Sequence, residues 1–253
     1  MSDIISRTIP LYPADILLPA AGVDEKWCVI AADQFTADPE YWQAAAEKIG
    51  DAKSTLHLIL PEIFLQTESA QQLQNRVKQV QETMHEYFTG EVFTSFHNSV
   101  IYTERQISAV KQRKSLIAAL DLESYTYCSG ESAQKYDVRA SEATVLERIP
   151  AREKVRSEAL LELPHVQLLF DDPQNTVFAS IAAAQLNTGK PLYHTELMLG
   201  GGSLKAWKIS GNSELWSEIS AKISAAVTSS HSFRFIVGDG NHSWRQRNRI
   251  GSS

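Results

Sequence analysis

The chain has 253 residues, 43% hydrophobic and 21% charged, with a formal net charge of -6. This is the composition of a globular chain able to bury one large or two modest cores, and its negative balance argues against a general nucleic-acid surface, which needs basic cover. Cys28 and Cys128 form no CxxC pair or disulfide framework, Met1–Ile4 opens no basic-then-apolar leader, and no apolar run is long enough for a bilayer, so a cytoplasmic setting is expected.

Trp27–Ala31 is a short apolar run and is predicted as a strand. Asp38 then stands as an N-cap before Pro39, which opens a helix through Tyr41, Trp42 and Ala46 to Gly50. Leu56–Leu60, closed by Pro61, is predicted as a second strand. Leu73, Val77, Val80, Met84 and Phe88 recur at helical spacing, giving an amphipathic helix over 68–88 that stops at Gly90. Ser99–Thr103 and Ser115–Leu120 read as strands of a hairpin, with polar Glu104–Lys114 as a long turn.

Residues 150–163 are predicted helical, with Ala151, Val155, Ala159 and Leu160 on one face. Val166–Phe170 is a strand ending at the turn Asp171-Asp172-Pro173, and a helix follows over 177–186. Leu192–Leu199 and Ser203–Ile209 are strands around Gly200-Gly201-Gly202. Ser213 caps a helix that turns Leu215, Ile219, Ile223 and Val227 inward, and Phe233–Val237 is the last strand. The elements mix without a strict βαβ rhythm. The predicted class is α+β, or mixed α/β, with a mixed sheet and flanking helices. No linker divides residues 1–243, which are read as a single region.

The segment most suggestive of chemistry is Gly238-Asp239-Gly240-Asn241-His242-Ser243, directly after that last strand. Strand carboxyl ends are where α/β proteins place ligands. The glycines permit positive φ and close backbone approach, and successive amides in such a turn form an anion nest. Asp239 offers a carboxylate for a metal or a hydroxyl, and His242 a proton or a phosphate contact. The same residues would also serve as a plain turn in which Asp and Asn cap backbone.

Arg139-Ala140-Ser141-Glu142-Ala143-Thr144, followed by Arg148 and Arg152, joins cations suited to bidentate anion contact with one carboxylate and two hydroxyls, or else is a solvated charged segment. Asp33 and Gln34 close the first predicted strand and read more readily as a capping loop. The Gly200–Gly202 stretch lacks the spacing of a phosphate loop and reads as a flexible turn. The remaining histidines, His165 among them, form no HxxxH or HExxH pair, so no zinc site is expected. No GxSxG elbow supports a serine hydrolase.

Several stretches together resemble the bacterial family called Domain of Unknown Function 1015. They are Trp27–Thr36 with Glu40-Tyr41-Trp42, Leu116–Leu122, Val138–Thr144 with Glu147–Arg152, Glu162–His165 with Asp171–Pro173, Glu196–Gly202, and Gly238–Ser243. The likeness runs in order along nearly the whole chain and implies little about activity. The Asp-Gly-Asn-His-Ser turn is further similar to the phosphate-binding turn of the ParB and sulfiredoxin superfamily, whose members include an ADP-using free-serine kinase and CTP-using partition proteins.

That second resemblance implies a ParB/sulfiredoxin-like part toward the C-terminus. In it Gly238, Gly240, Asn241 and Ser243 cradle nucleotide phosphate (of ATP, ADP or CTP, with Mg2+), and Arg139 and Arg148 line the cleft. Asp239, His242 and Glu142 are then the catalytic candidates of a nucleotide-dependent phosphotransferase acting on a small metabolite; the alternative is a non-catalytic nucleotide-responsive binding protein. Ser243 stands where the analogous turn often has Arg, so one phosphate cation would have to come from elsewhere.

After Ser243 the resemblance stops. Members of this subtype continue Leu-Ala-Thr-Ala-Lys, whereas this chain reads Trp244-Arg245-Gln246-Arg247-Asn248. The codons TGG CGA CAG CGA AAC encode those five residues; with one C restored in front they read CTG GCG ACA GCG AAA, the expected five. Residues 244–253 are therefore expected to be an out-of-frame tail, and their arginines are not read as a nucleic-acid patch. Lacking the helix behind the motif, a product of this length is expected to be unstable and poorly active.

Overall fold

A computed structural model describes residues 9–35, 37–126, 137–142, 149–163, 165–188, 190–229 and 235–240. Its strands are β1 (Leu11–Tyr12), β2 (Ala14–Pro19), β3 (Phe93–Ser108), β4 (Lys111–Ile117), β5 (Ala119–Leu120), β6 (Tyr125–Thr126), β7 (Val138–Arg139), β8 (Gln167–Leu169), β9 (Tyr193–Leu197), β10 (Gly202–Ser210) and β11 (Phe235–Asp239). Its α-helices are α1 (Pro39–Ile49), α2 (Ile63–Thr67), α3 (Ala70–Thr89), α4 (Ile149–Ser157), α5 (Thr176–Thr188) and α6 (Glu214–Ser229). The class is α+β.

The sheet is not single. A five-stranded antiparallel sheet is ordered β2-β3-β10-β9, with β4 also on β3. A four-stranded sheet, β6-β7-β11-β8, is the mixed one, and β1 pairs β5. The sixteen-residue β3 organises the larger sheet. One edge takes β10 from Ser99 to Gln106, while the other takes β2 up to Ser99 and then β4 from Ile101 onward. The handover sits at Asn98, whose φ of 46° marks an extra residue in β3 where the β2 register shifts. Asp15 Oδ1 accepts from the Asn98 amide at 3.1 Å, and the Asn98 carbonyl accepts from the Gly211 amide at 2.7 Å.

One apolar core joins both sheets through α5 and α6. It contains Val100, Tyr102 and Ile209 from the larger sheet, Val138, Phe235 and Val237 from the smaller, Val177 and Ile181 from α5, and Trp216, Ile219, Ile223 and Val227 from α6. The predicted inward stripe of α6 is thus correct, and Ser213 Oγ accepts from the Trp216 amide at its start. A second cluster packs α3 against α4 and the 55–58 turn through Val77, Val80, Met84, Tyr87, Leu58 and Val155. Here Tyr87 is buried in place of Phe88, which is exposed. The helix over 150–163 is shorter than predicted; α4 ends at Ser157, and Leu160 is exposed.

Two predicted strands are corrected. Trp27–Ala31 is turn and irregular loop outside any sheet, and Leu56–Leu60 is mostly a 3-10 turn over Thr55–Leu58. In the first, backbone groups are satisfied by side chains instead of a ladder. The Val29 amide donates to Thr55 Oγ1 at 3.3 Å, the Ile30 amide donates to Tyr41 Oη at 3.1 Å, and Tyr41 Oη donates to the Ile30 carbonyl at 2.8 Å. The β3–β4 hairpin exists, but the polar stretch predicted as its turn is paired strand, with only Ala109 and Val110 between. Among the described residues no helix is long and apolar enough to cross a membrane.

Candidate functional site

The smaller sheet brings two of the predicted motifs together. β6, β7 and β11 run parallel, with Val138 opposite Tyr125 and Phe235, and Arg139 opposite Thr126 and Ile236. Their carboxyl ends therefore share one edge. Ser141 and Glu142 follow β7 at that edge, and Gly238, Asp239 and Gly240 follow from β11 beside them. Strands so paired lie about 4.8 Å apart.

A bulge sets the direction of Asp239. Phe235 and Val237 are buried in the core, so strict alternation would aim Asp239 the same way. Instead Val237 pairs with Leu168 and Asp239 with Gln167, two residues of β11 advancing against one of β8. Directly opposed residues share a face. Leu168 packs on the core, so Gln167 lies on the outer face, and Asp239 with it. That is also the face of Ile236 and hence of its opposite residue Arg139. The bulge thus places the Asp239 carboxylate on the same face as the Arg139 guanidinium.

Both glycines of the turn have local causes. A Cβ on Gly238 would stand 2.9 Å from Leu169 Cδ1, and Gly240 has φ +94° with Val166 Cγ2 and Cα at 3.1 and 3.3 Å from where its Cβ would be. The chain at Gly240 therefore passes tightly against Val166. This brings His165, an exposed residue two positions before β8, to the same edge. Sequence reasoning gave His165 no role; its only signal was membership of the family-like stretch Glu162–His165. Asp239 and Glu142 are exposed and Arg139 is half-buried. Asn241, His242, Ser243 and Arg148 lie outside the described residues. So do residues 244–253.

Asp172 organises the approach to this sheet from the far end of β8. Its carboxylate accepts from the Thr176 and Val177 amides and the Thr176 hydroxyl, each at 3.0 Å, capping α5. Partial burial raises its pKa, but those donors outweigh it and hold the carboxyl below its ordinary value. Asp171-Asp172-Pro173 is thus the turn it was read as, with a capping role.

The Trp27–Phe35 stretch is elsewhere, against the larger sheet, and Thr36 lies outside the described residues. Asp33–Phe35 forms a 3-10 turn. Phe35 stacks on Tyr41 with ring centroids 3.7 Å apart, and its carbonyl accepts from Trp42 Nε1 at 2.8 Å. Ile30 rests on Gly201, at a spot where any Cβ would collide with Ile30 Cδ1. The Tyr41, Trp42 and Gly200–Gly202 residues are therefore accounted for as packing that clamps a loop to the β9–β10 turn. Cys28 belongs to this loop, and burial pushes its thiol up to about 11. Among the described residues no three His, Cys, Asp or Glu side chains group as a metal centre.

No curated protein and no solved structure matches the sequence. The family described as Protein of unknown function (DUF1015) matches residues 16–251, and the chain belongs to that family.

Proposed function

We propose that the shared carboxyl edge of β7 and β11 binds the phosphates of a nucleotide (ATP, ADP or CTP) and that the protein transfers a phosphoryl group to a small metabolite. The observation that carries this reading is the bulge at Gly238, which turns Asp239 onto the face of Arg139, a residue roughly a hundred positions away. A carboxylate and a guanidinium converging at the ends of parallel strands, beside a glycine turn with positive φ, is the equipment of phosphate chemistry. The likeness of Asp239–Ser243 to the ParB/sulfiredoxin turn supports the same assignment.

Phosphoryl transfer asks mainly for positioning and charge neutralisation. Arg139 and Arg148 would neutralise the charge that builds on the transferring oxygens. Gly238, Gly240, Asn241 and Ser243 would present backbone and side-chain donors to phosphate. Mg2+ takes one or two carboxylates together with phosphate oxygens, a demand that Asp239 and Glu142 fit. As the acceptor hydroxyl bonds to phosphorus and the nucleotide leaves, its proton passes to whichever of Asp239 and Glu142 does not hold the metal, or to His242.

The test is turnover of ATP, ADP and CTP, each with a panel of small hydroxy metabolites and Mg2+, in the parent and in D239N. The expected result is transfer in the parent with one nucleotide, cut by roughly 100-fold or more in D239N. Nucleotide binding with no transfer to any acceptor would select the non-catalytic, nucleotide-responsive reading. Absence of both binding and turnover would remove the nucleotide from the account.

A further inference from the structure

The larger sheet segregates its charges by face. Glu104 of β3 stands opposite Lys114 and Lys205, and Glu196 opposite Ser203, which stands opposite Gln106. These residues share the face of Tyr102 and Trp207, the face packed on α5, and Tyr102 Oη donates to Glu104 Oε1. The opposite face carries Arg105 of β3, directly across from Arg113 of β4, with Lys111 two residues along, and none of the strand positions on this face is acidic.

Like charges directly opposite in an antiparallel pair are destabilising. Arg105 is half-buried and donates from Nε and Nη2 to the Gly201 carbonyl, at 3.3 and 3.1 Å, which is a neutral partner. Among the described side chains no carboxylate pairs with Arg105 or Arg113. Burial first, and then the Arg113 charge, hold Arg105 below the ordinary guanidinium value, while Tyr41 opposes them. It stays protonated nonetheless.

Cations on β4 alone have a simple account, because β4 is an edge strand and charge deters edge-to-edge pairing. That account does not reach Arg105, which lies between β10 and β4. We infer that Arg105 and Arg113 form an anion subsite on the larger sheet, beside the Gly200–Gly202 turn and Tyr41, that takes a phosphate group. The planar forks of two arginines suit a tetrahedral dianion, and its charge offsets the repulsion between the two guanidinium groups. The side-chain hydroxyls of Ser115 and Thr103, opposite one another on the next row of this face, extend its polar floor. This subsite belongs to the larger sheet and does not depend on the nucleotide reading of the smaller one.

The experiment is calorimetric titration of the full chain with inorganic phosphate and, separately, methyl phosphate, the second arm reporting a phosphomonoester source. R113Q is the leading variant, since Arg113 is exposed. It is expected to weaken phosphate binding by roughly tenfold or more and to melt no lower than the parent without phosphate. R105K, which keeps the charge and loses the fork, is expected to bind more weakly as well. R139Q, on the other sheet, is expected to retain the component that R113Q loses. Unchanged phosphate affinity in R113Q overturns the inference, and so does a loss of affinity that comes with a lowered melting temperature.

Discussion

Gly240→Ala tests the turn on which the candidate site rests. At φ +94° an alanine is strained whatever space surrounds it, at a cost of about 1–2 kcal/mol. Its Cβ would also press on Val166, 3.1 Å from Cγ2 and 3.3 Å from Cα. The second atom is backbone and cannot rotate away, so overpacking adds roughly 1 kcal/mol. The expected loss is about 2–3 kcal/mol, or roughly 5–10 °C in melting temperature for a chain of this size. Urea denaturation followed by tryptophan fluorescence reads the global part. Hydrogen exchange at Val237–Gly240 reads any local opening that absorbs the strain first. Val166→Ala removes the Cγ2 contact and leaves the φ strain, so a double-mutant cycle should show coupling near 1 kcal/mol with the remainder persisting. A G240A chain within about 0.5 kcal/mol of the parent, with unchanged exchange, would refute the left-handed turn and the packing against Val166.

Tyr41→Phe removes the hydroxyl that both accepts from and donates to Ile30. It should cost about 1–3 kcal/mol in urea denaturation and expose the 28–35 loop to limited proteolysis, because two half-buried backbone groups lose their partner. Asp172→Ala should cost about 1 kcal/mol by uncapping α5. Because the folded carboxyl of Asp172 is depressed, its stabilisation is present above the ordinary Asp value and is lost as pH falls through the depressed one. The parent should therefore lose stability across the acidic carboxylate range, and D172A should lose less there; parallel acid limbs in melting temperature would contradict this.

How much of this was legible depended on whether a local signal existed. α1 was readable because Asp38, Pro39 and Gly50 punctuate it, and Asp38 does accept from the Tyr41 amide. α3 was readable from its apolar stripe, and Ser69 and Gln72 complete a capping box at its start. Trp27–Ala31 and Leu56–Leu60 were misread because a short apolar run has no period of its own. What decided the first was distant, since Tyr41 and Thr55 supply the hydrogen bonds a neighbouring strand would have supplied, while the second closes on Ser54 as a local turn. At the site, Gly238–Gly240 announced itself by composition and position after an apolar run. The pairing of β7 with β11, and the bulge that redirects Asp239, are matters of register, which no local stretch encodes. The Arg105–Arg113 pair was hidden in a segment read as a turn, since only strand pairing sets those two side by side.

The parallel pairing of Val138 with Phe235 also fixes when the site can exist. The β3–β4 hairpin closes across two residues and can form early from its own sequence. Joining β7 to β11 instead closes a loop of roughly a hundred residues, an entropic charge that must be met before any contact at that edge repays it. During synthesis Arg139 emerges long before Asp239, and in the folded chain the core beneath the two strands is completed by α5 and α6, which lie between them in sequence. The edge that would hold phosphate is therefore among the last parts of the chain to be assembled, and a ligand that bridges β7 and β11 would act as a late clamp on folding as well as an occupant of the finished site.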